Sequence, residues 1–301
     1  MEIFKLLHQS IDYVERHLHS PIEIEDIARA GMSSKYHFQR MFHAVTGVTV
    51  TQYVRNRRLT LAAQELAGTN CKVIDVALKY GYDSPAAFTK AFQRMHGVTP
   101  LEAKKMNVKL KAFPRISFQI QVRGESEMNY RIVEEKGSIV FGKSVLIHED
   151  AYKEVPVFVE GIWKDGTHAQ ILELLERPDG TLLYGYHYDF AEDGSKRYLM
   201  GAEVPEGIQV SDEFTVLHIP DQTYAVFDSG GKMADDVEID LSILNVWKRI
   251  YTEWFPSTSF EQVEGPCIEK YYWVDDQHQN FITEVWIPVR KIAEGIKRFK
   301  K

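Results

Sequence analysis

The chain has little cysteine. Cys71 and Cys267 are the only two in 301 residues and stand 196 positions apart, which excludes a disulfide framework and a spaced zinc motif. No apolar run approaches the ~18 residues of a membrane span. The N-terminal stretch MEIFKLLHQSIDYVERHL lacks a basic start and a cleavage site, so no signal peptide is expected and the cytoplasm is the expected location. No phosphate-binding glycine loop and no set of nucleophile, base and orienting group can be picked out. The acidic run DDQHQ at 275–279 reads as a hairpin tip rather than a metal site. Neither cofactor nor metal is expected.

What is present is ordinary in amount, 44% hydrophobic and 26% charged, but unevenly distributed. Residues 1–112 carry 16 Lys and Arg against 10 Asp and Glu, a net of +6, while the remainder carries 20 against 33, a net of −13. The front half therefore suits an anionic partner and the back half does not.

The front half contains one unit twice. IEIEDIARAGMSSKYHFQRMFHAVTGVTV and CKVIDVALKYGYDSPAAFTKAFQRMHGVTP align, with Gly47-Val48-Thr49 matching Gly97-Val98-Thr99. Each copy reads as helix, turn, helix. Ile24, Ile27 and Ala28 make one apolar face, as do Val73, Val76 and Ala77. Gly31 and Gly81 stand where a left-handed cap is wanted. Ser34 and Ser84 are expected to cap the second helices, Pro85 fits the first helical position, and Gly47 and Gly97 end them. Thr99 and Glu102 form a capping box for a further helix. Two short helices joined by a tight turn suit DNA reading; a plain helical hairpin is the alternative. The outer face of the second helix favours DNA: Lys35, Tyr36, Gln39, Arg40 and His43 lie opposite the Phe38/Phe42 stripe, and Arg and Gln are the side chains that bond base edges bidentately. The second copy offers Ala86, Ala87, Thr89, Lys90, Gln93 and Arg94, poorer in donors, so the first unit is expected to read bases and the second to rely on phosphate and apolar contact. Between the copies, residues 51–67 read as a helix of roughly 25 Å, able to set two reading heads about one DNA turn apart. Arg55 and Arg58 share a face on it that suits phosphates.

The segments IARAGMSSKYHFQRMFHAVTGVTVTQYVRNRRLTLAAQEL and VIDVALKYGYDSPAAFTKAFQRMHGVTPLEAKK resemble the AraC/XylS-type DNA-binding domain of bacterial transcription regulators. The resemblance implies two helix-turn-helix units over residues 1–108, inserting their second helices into successive major grooves of double-stranded DNA. It places Tyr36, Gln39 and Arg40, then Ala86, Thr89 and Lys90, at the bases. Lys90 departs from the arginine several relatives carry there and lacks its fork. RNA polymerase counts among the candidate partners.

Past a linker at 109–128, helical spacing gives way to alternation. Residues 129–301 fall into two similar halves, each two strands, a helix and two strands, an α+β layout with antiparallel sheet and pseudo-two-fold repeat. The whole is thus multidomain, an all-α domain followed by an α+β one. In CIEKYYW, Cys267, Glu269, Tyr271 and Trp273 share a side. In FITEVWIPV, Phe281, Thr283, Val285, Ile287 and Val289 should pack on helices, leaving Ile282, Glu284, Trp286 and Pro288 on the other side. Carboxylates among aromatic rings suit a groove for a lipophilic cation. Glu269, Tyr271, Trp273, Glu284 and Trp286 are expected to line it, extended by Trp163, Tyr184, Tyr186 and Tyr188. A structural ion-pair network within a core is the alternative.

IDLSILNVWKRIYTEWFPSTSF, CIEKYYW and TEVWIPV resemble the GyrI-like (duplicated SHS2) effector-binding domain. The resemblance implies a small-molecule effector, with Glu269 the best match to the family's glutamate and Glu284 second. It leaves open hydrolysis of small electrophiles by Glu269 with Tyr271, and a constitutive DNA-binding protein whose back half binds protein.

Overall fold

The structure, a computed structural model, describes residues 2–105, 108–117, 128–148, 151–176, 182–233, 239–273 and 280–292. It divides into two units, Met1–Arg123 and Gly124–Lys301. The DDQHQ segment and the basic tail beyond 292 lie outside the described residues.

The first unit is helical: α1 (Glu2–His17), α2 (Ile24–Ala30), α3 (Lys35–Thr46), α4 (Val50–Gly68), α5 (Val73–Lys79), α6 (Pro85–His96) and α7 (Pro100–Ala103). Leu7, Ile11 and Val14 give α1 one buried stripe, which Leu18 continues just past its end. The side chains of Ser34 and Ser84 accept from the amides of His37 and Ala87, and Gly47 and Gly97 close the helices in the left-handed region. Thr99 and Glu102 form the expected box, and Thr49 with Gln52 forms a matching one at the start of α4. The stripe Phe38, Met41, Phe42 is buried, as are Phe88 and Phe92, which pack with Leu59, Ala62, Ala63 and Leu66 of α4. Each such side chain contributes about 1.5–3 kcal/mol of transfer free energy.

The first turn differs from expectation. Gly31 has φ −91°, and the left-handed residue is Met32, at +49°. In the second unit it is Gly81, at +78°. The amide of Ser33 donates to Ala28 O and that of Tyr82 to Ala77 O, both at 3.0 Å, so Met32 is the counterpart of Gly81. Gly31 serves close approach instead, because a Cβ there would overlap the Ser10 hydroxyl of α1.

The described first part of the segment assigned to the linker lies on these helices. The Lys111 amide donates to His96 Nδ1 at 3.2 Å, and the Phe113 amide to Thr60 Oγ1 at 3.0 Å. Arg57 Nη1 donates to Phe113 O at 2.6 Å, and Arg115 bonds Asp12. The strap thereby runs from α6 over α4 to α1.

The second unit is one antiparallel sheet with helices on one face: β1 (Tyr130–Glu135), β2 (Ser138–Ile147), α8 (Ala151–Lys164), α9 (Thr167–Leu174), β3 (Tyr184–Tyr188), β4 (Lys196–Glu203), β5 (Thr215–Ile219), β6 (Gln222–Met233), α10 (Ile239–Arg249) running into a π-helical turn (Ile250–Trp254), β7 (Phe260–Gln262), β8 (Cys267–Trp273) and β9 (Asn280–Lys291). The strand order β1-β6-β9-β8-β3-β4-β2-β5 reads the same from both ends when the halves are exchanged. The pseudo-two-fold axis passes between β3 and β8, at the Gly185–Glu269 pair: following the registers outward, Ser144 of β2 corresponds to Asp228 of β6 and Leu199 of β4 to Glu284 of β9. Each half lends its first strand to the other: β1 pairs with β6, and β5 with β2.

The two faces hold different cores. Toward the helices, Phe141 packs with Ile171 and Leu172 of α9, and Phe227 meets Trp254 of the π turn edge-on at 5.0 Å. On the opposite face, Val140, Tyr186, Tyr188, Leu199, Ile219, Tyr224, Val226, Ile268 and Trp286 form one buried cluster contributed by seven strands.

Candidate nucleic-acid interface and effector site

On α3, His43 is exposed, and Tyr36, Gln39 and Arg40 are half-buried. The Arg40 guanidinium sits 5.7 Å from the Tyr36 ring centre. Lys35 Nζ lies 2.7 Å from Glu25 Oε1 of α2, an ion pair that holds the Glu25 carboxyl below its ordinary range. On α6, Ala86, Lys90, Gln93 and Arg94 are exposed and Thr89 half-buried, and together with Pro85 they line one shallow recess. Thr89 Oγ1 donates back to Pro85 O at 2.7 Å. Both helices thus turn away from the core the polar faces that the sequence singles out.

The arginines of α4 divide. Arg55 is exposed. Arg58 is turned inward, a correction to its assignment as a phosphate contact: its Nε donates to Leu18 O at 3.0 Å and its Nη2 to Ser20 O at 2.6 Å. Burial lowers its pKa, and a Cβ on Gly81 would come within 2.9 Å of its Nη1. It joins the loop after α1 to the turn of the second helix-turn-helix. Arg57 Nε and Nη2 donate to the two carboxylate oxygens of Glu15, each at 2.8 Å, and Tyr53 donates to the same carboxylate at 2.7 Å.

The aromatic and acidic residues of the second unit also divide, against the expectation of a single groove. The β8–β9 register pairs Glu269 with Val285 and Lys270 with Glu284, so Glu269 shares the helix-covered face with Val285 while Glu284 and Trp286 lie on the other. Tyr184 and Tyr186 belong with Trp286, since Tyr186 pairs with Ile268 and Ile268 with Trp286. On that face Arg131 Nη2 meets Glu284 Oε1 at 2.7 Å, and Trp286 Nε1 donates to Glu284 Oε2 at 2.9 Å. Lys270 Nζ sits 3.7 Å from the Trp286 ring centre, so a cation of the protein itself occupies that ring. Burial lowers the Lys270 pKa. For Glu284 the structural network is therefore the better description. Trp163 joins neither group: it is 55% exposed on α8 and stacks on His168 of α9 at 3.6 Å.

Glu269 is 6% exposed and, paired with Gly185, lies at the pseudo-two-fold axis. Its Oε1 accepts from Trp247 Nε1 of α10 at 2.9 Å and lies 3.2 Å from His187 Nε2 of β3. Its Oε2 accepts from the Tyr271 hydroxyl at 3.1 Å. The Tyr271 hydroxyl also interacts with that of Tyr198. The Gly185–Glu269 pairing matters here, because a Cβ on Gly185 would overlap the Tyr198 hydroxyl. Burial pushes the Glu269 carboxyl up, but His187, Trp247 and Lys196 outweigh it and hold it well below the ordinary carboxylate range. The result is a buried, ionised carboxylate ringed by indole, imidazole and phenols, roofed by a helix that continues into a π turn, a distortion frequent at functional sites. Trp273 is half-buried at the end of the same strand.

Sequence reasoning missed His187, Tyr198 and Trp247. The alternation YGYHY already set His187 apart from the three tyrosines of β3, but only the pairing of β3 with β8 brings it to Glu269.

A twin helix-turn-helix unit joined to a duplicated α+β sheet with a buried glutamate defines a DNA-binding protein of the one-chain, effector-binding class. The family model described as integron-associated effector binding protein matches residues 131–289, and a helix-turn-helix domain model matches residues 27–106. The chain belongs to the integron-associated effector-binding family and carries an AraC-type helix-turn-helix domain in front of it. An uncharacterized helix-turn-helix transcriptional regulator of Bacillus subtilis, YbfP, is 41% identical over 96 residues, 32% of each chain. The regulatory protein SoxS of Escherichia coli is 38% identical over 96 residues, 32% of this chain and 90% of that one. The chain thus spans about a third of the Bacillus relative and nine tenths of SoxS. An integron cassette protein of Vibrio cholerae is similar over 54% of this chain and 95% of its own, at 18% identity and a TM-score of 0.37. Among the described residues no helix is long and apolar enough to cross a membrane.

Proposed function

We propose that the protein is a transcription regulator of the cytoplasm. Its first unit holds double-stranded DNA through α3 and α6, and its second binds a small cationic or aromatic effector at Glu269. RNA polymerase is a partner under this reading. The observation that carries it is the joining, in one chain, of two capped helix-turn-helix units with donor-bearing outer faces to a sealed, ionised carboxylate walled by aromatic rings. The two faces differ, so the DNA site is asymmetric. Gln39 and Arg40 read bases, Lys35, Arg55, Lys90 and Arg94 meet phosphates, and Ala86 and Thr89 pack on the groove wall. The effector changes DNA activity by preferring one arrangement of the chain.

The ionised state of Glu269 favours this reading over a hydrolase. A carboxylate held well below its ordinary range is a weak proton acceptor, whereas general bases are tuned toward the working pH. It is well suited to attracting a cation, provided the cation is lipophilic enough to enter.

The test has two arms. A DNA site is selected from random duplexes, and binding is measured against salt. Arg40→Ala should weaken the selected site by about 1–3 kcal/mol more than random DNA, and Lys90→Ala should weaken both alike and reduce the salt slope by about one. Equal losses for Arg40→Ala on both DNAs would remove it as a reader. In the second arm, a panel of lipophilic cations is screened by thermal shift against the full chain and Glu269→Gln. A response in the variant equal to that of the parent would remove Glu269 from the site.

A further inference from the structure

At the axis that relates β3 to β8, an imidazole of the first half meets a carboxylate of the second. Gly185 faces Glu269 on the axis, and Tyr186–Ile268 and His187–Cys267 are the next two pairs along the strands. His187 of the first half and Glu269 of the second meet there, with 3.2 Å between Nε2 and Oε1. Both side chains are buried, at 4% and 6% exposure. A buried carboxylate needs a compensating charge or several hydrogen bonds, and here the compensating group can itself lose its charge.

We propose that His187 is a proton-bearing stand-in for the effector, so that a cationic effector binds at Glu269 by exchange for one proton on His187. In the resting protein the imidazolium neutralises Glu269. An arriving cation cannot share that carboxylate with a second positive charge in a site closed to water. The His187 N–H proton leaves to solvent, the ring becomes neutral, and the cation takes over the charge of Glu269. This inference rests on the effector site proposed above and adds what sets its selectivity and its pH response. Neutral aromatic ligands make no such exchange, and the site discriminates for permanent cations as the pH rises.

The other groups facing this pair do not supply the proton. Tyr198 of β4 and Tyr271 of β8 are held well above the ordinary phenol range by burial, and by Glu269. Lys196 of β4 adds positive charge near Glu269. Cys267 of β8 accepts from Gln262 at 3.3 Å, and α10 presents Trp247, which does not titrate.

The experiment uses the full chain and tetraphenylphosphonium, a permanent cation with no proton of its own. Affinity is measured by calorimetry between about pH 5 and 8, the range in which imidazole titrates, in two buffers of different ionisation enthalpy. The expected result is affinity that rises by about tenfold per pH unit on the acid side and then levels, with close to one proton released per cation in the rising part. His187→Gln should bind with a flat profile and release none; His187→Asn serves if the glutamine variant fails to fold, and proton release by the parent needs no variant. A flat parental profile without proton release overturns the exchange while leaving the site intact, provided Glu269→Gln still abolishes binding. A slope retained in the folded His187 variants also overturns it. Absence of binding at every pH in parent and variants alike removes the effector site and the exchange together.

Discussion

Replacing Arg57 by methionine tests the central brace of the helical unit. The methionine keeps a flexible chain of similar reach but removes two hydrogen bonds to Glu15 and one to Phe113 O. Glu15 is left with Tyr53, and the strap loses one of its anchors. The side chains of Arg57 and Glu15 are 11% and 15% exposed. Breaking a buried pair on one side costs about 3–5 kcal/mol, and residual access to water puts this one near 3 kcal/mol. The sign of the pH response follows from Glu15. Burial raises its pKa, but Arg57 and Tyr53 lower it further, and the net shift is downward. A depressed carboxyl stabilises the fold above its unfolded pKa, and that contribution is lost as pH falls through the folded value. The parent should therefore lose stability in acid more steeply than Arg57→Met, and the two should converge. Amide hydrogen exchange of α1 and α4, read by mass spectrometry in the full chain, measures the opening free energy locally. A difference below about 1 kcal/mol at neutral pH, or parallel acid profiles, would show that the pair is not the brace described here.

Other expected outcomes concern single turns and faces. Gly81→Ala forces an L-residue to φ +78° against Arg58 and should cost about 1–2 kcal/mol, whereas Met32→Gly relieves the same conformation and should stabilise by about 1 kcal/mol in urea unfolding. Ser34→Ala and Ser84→Ala should each cost about 1 kcal/mol by the same measurement, as losses of a helix cap. Glu269→Gln should flatten the acid limb of unfolding of the second unit, because the depressed Glu269 carboxyl stabilises that unit only while ionised. Trp286→Phe should leave effector affinity within about twofold, since its ring lies across the sheet from Glu269; a loss as large as that of Glu269→Gln would contradict the division of the two faces.

The helical unit was legible because its signals are local. Ser34, Ser84, Pro85, Thr99 and the glycines act within one turn of chain, and the Phe stripes repeat at helical spacing. The first turn is not legible in the same way, because the copies differ by one residue there: residue type aligns Gly31 with Gly81, whereas hydrogen bonding aligns Met32 with it. In the second unit the strands and their alternation were legible, as was the aliphatic side of β9 that packs on helices. What could not be seen was which side of β8 meets which side of β9. A shift of one residue in pairing exchanges the faces, and nothing within either strand reports it. Glu269 and Glu284 were placed together for that reason. The inward turn of Arg58 is not legible, because a basic residue on a helix says nothing of the backbone carbonyls of Leu18 and Ser20, some forty positions away, that claim it.

The strap of residues 108–117 bears on how this protein should be dissected. A fragment cut at 108, where helical periodicity stops, would keep every helix but forfeit the hydrogen bonds to His96, Thr60, Arg57 and Asp12. Those bonds brace α6, α4 and α1 against one another from outside. Carrying the fragment on to residue 117 preserves the brace, so two fragments ending nine residues apart should differ in melting temperature even though their helix content is the same.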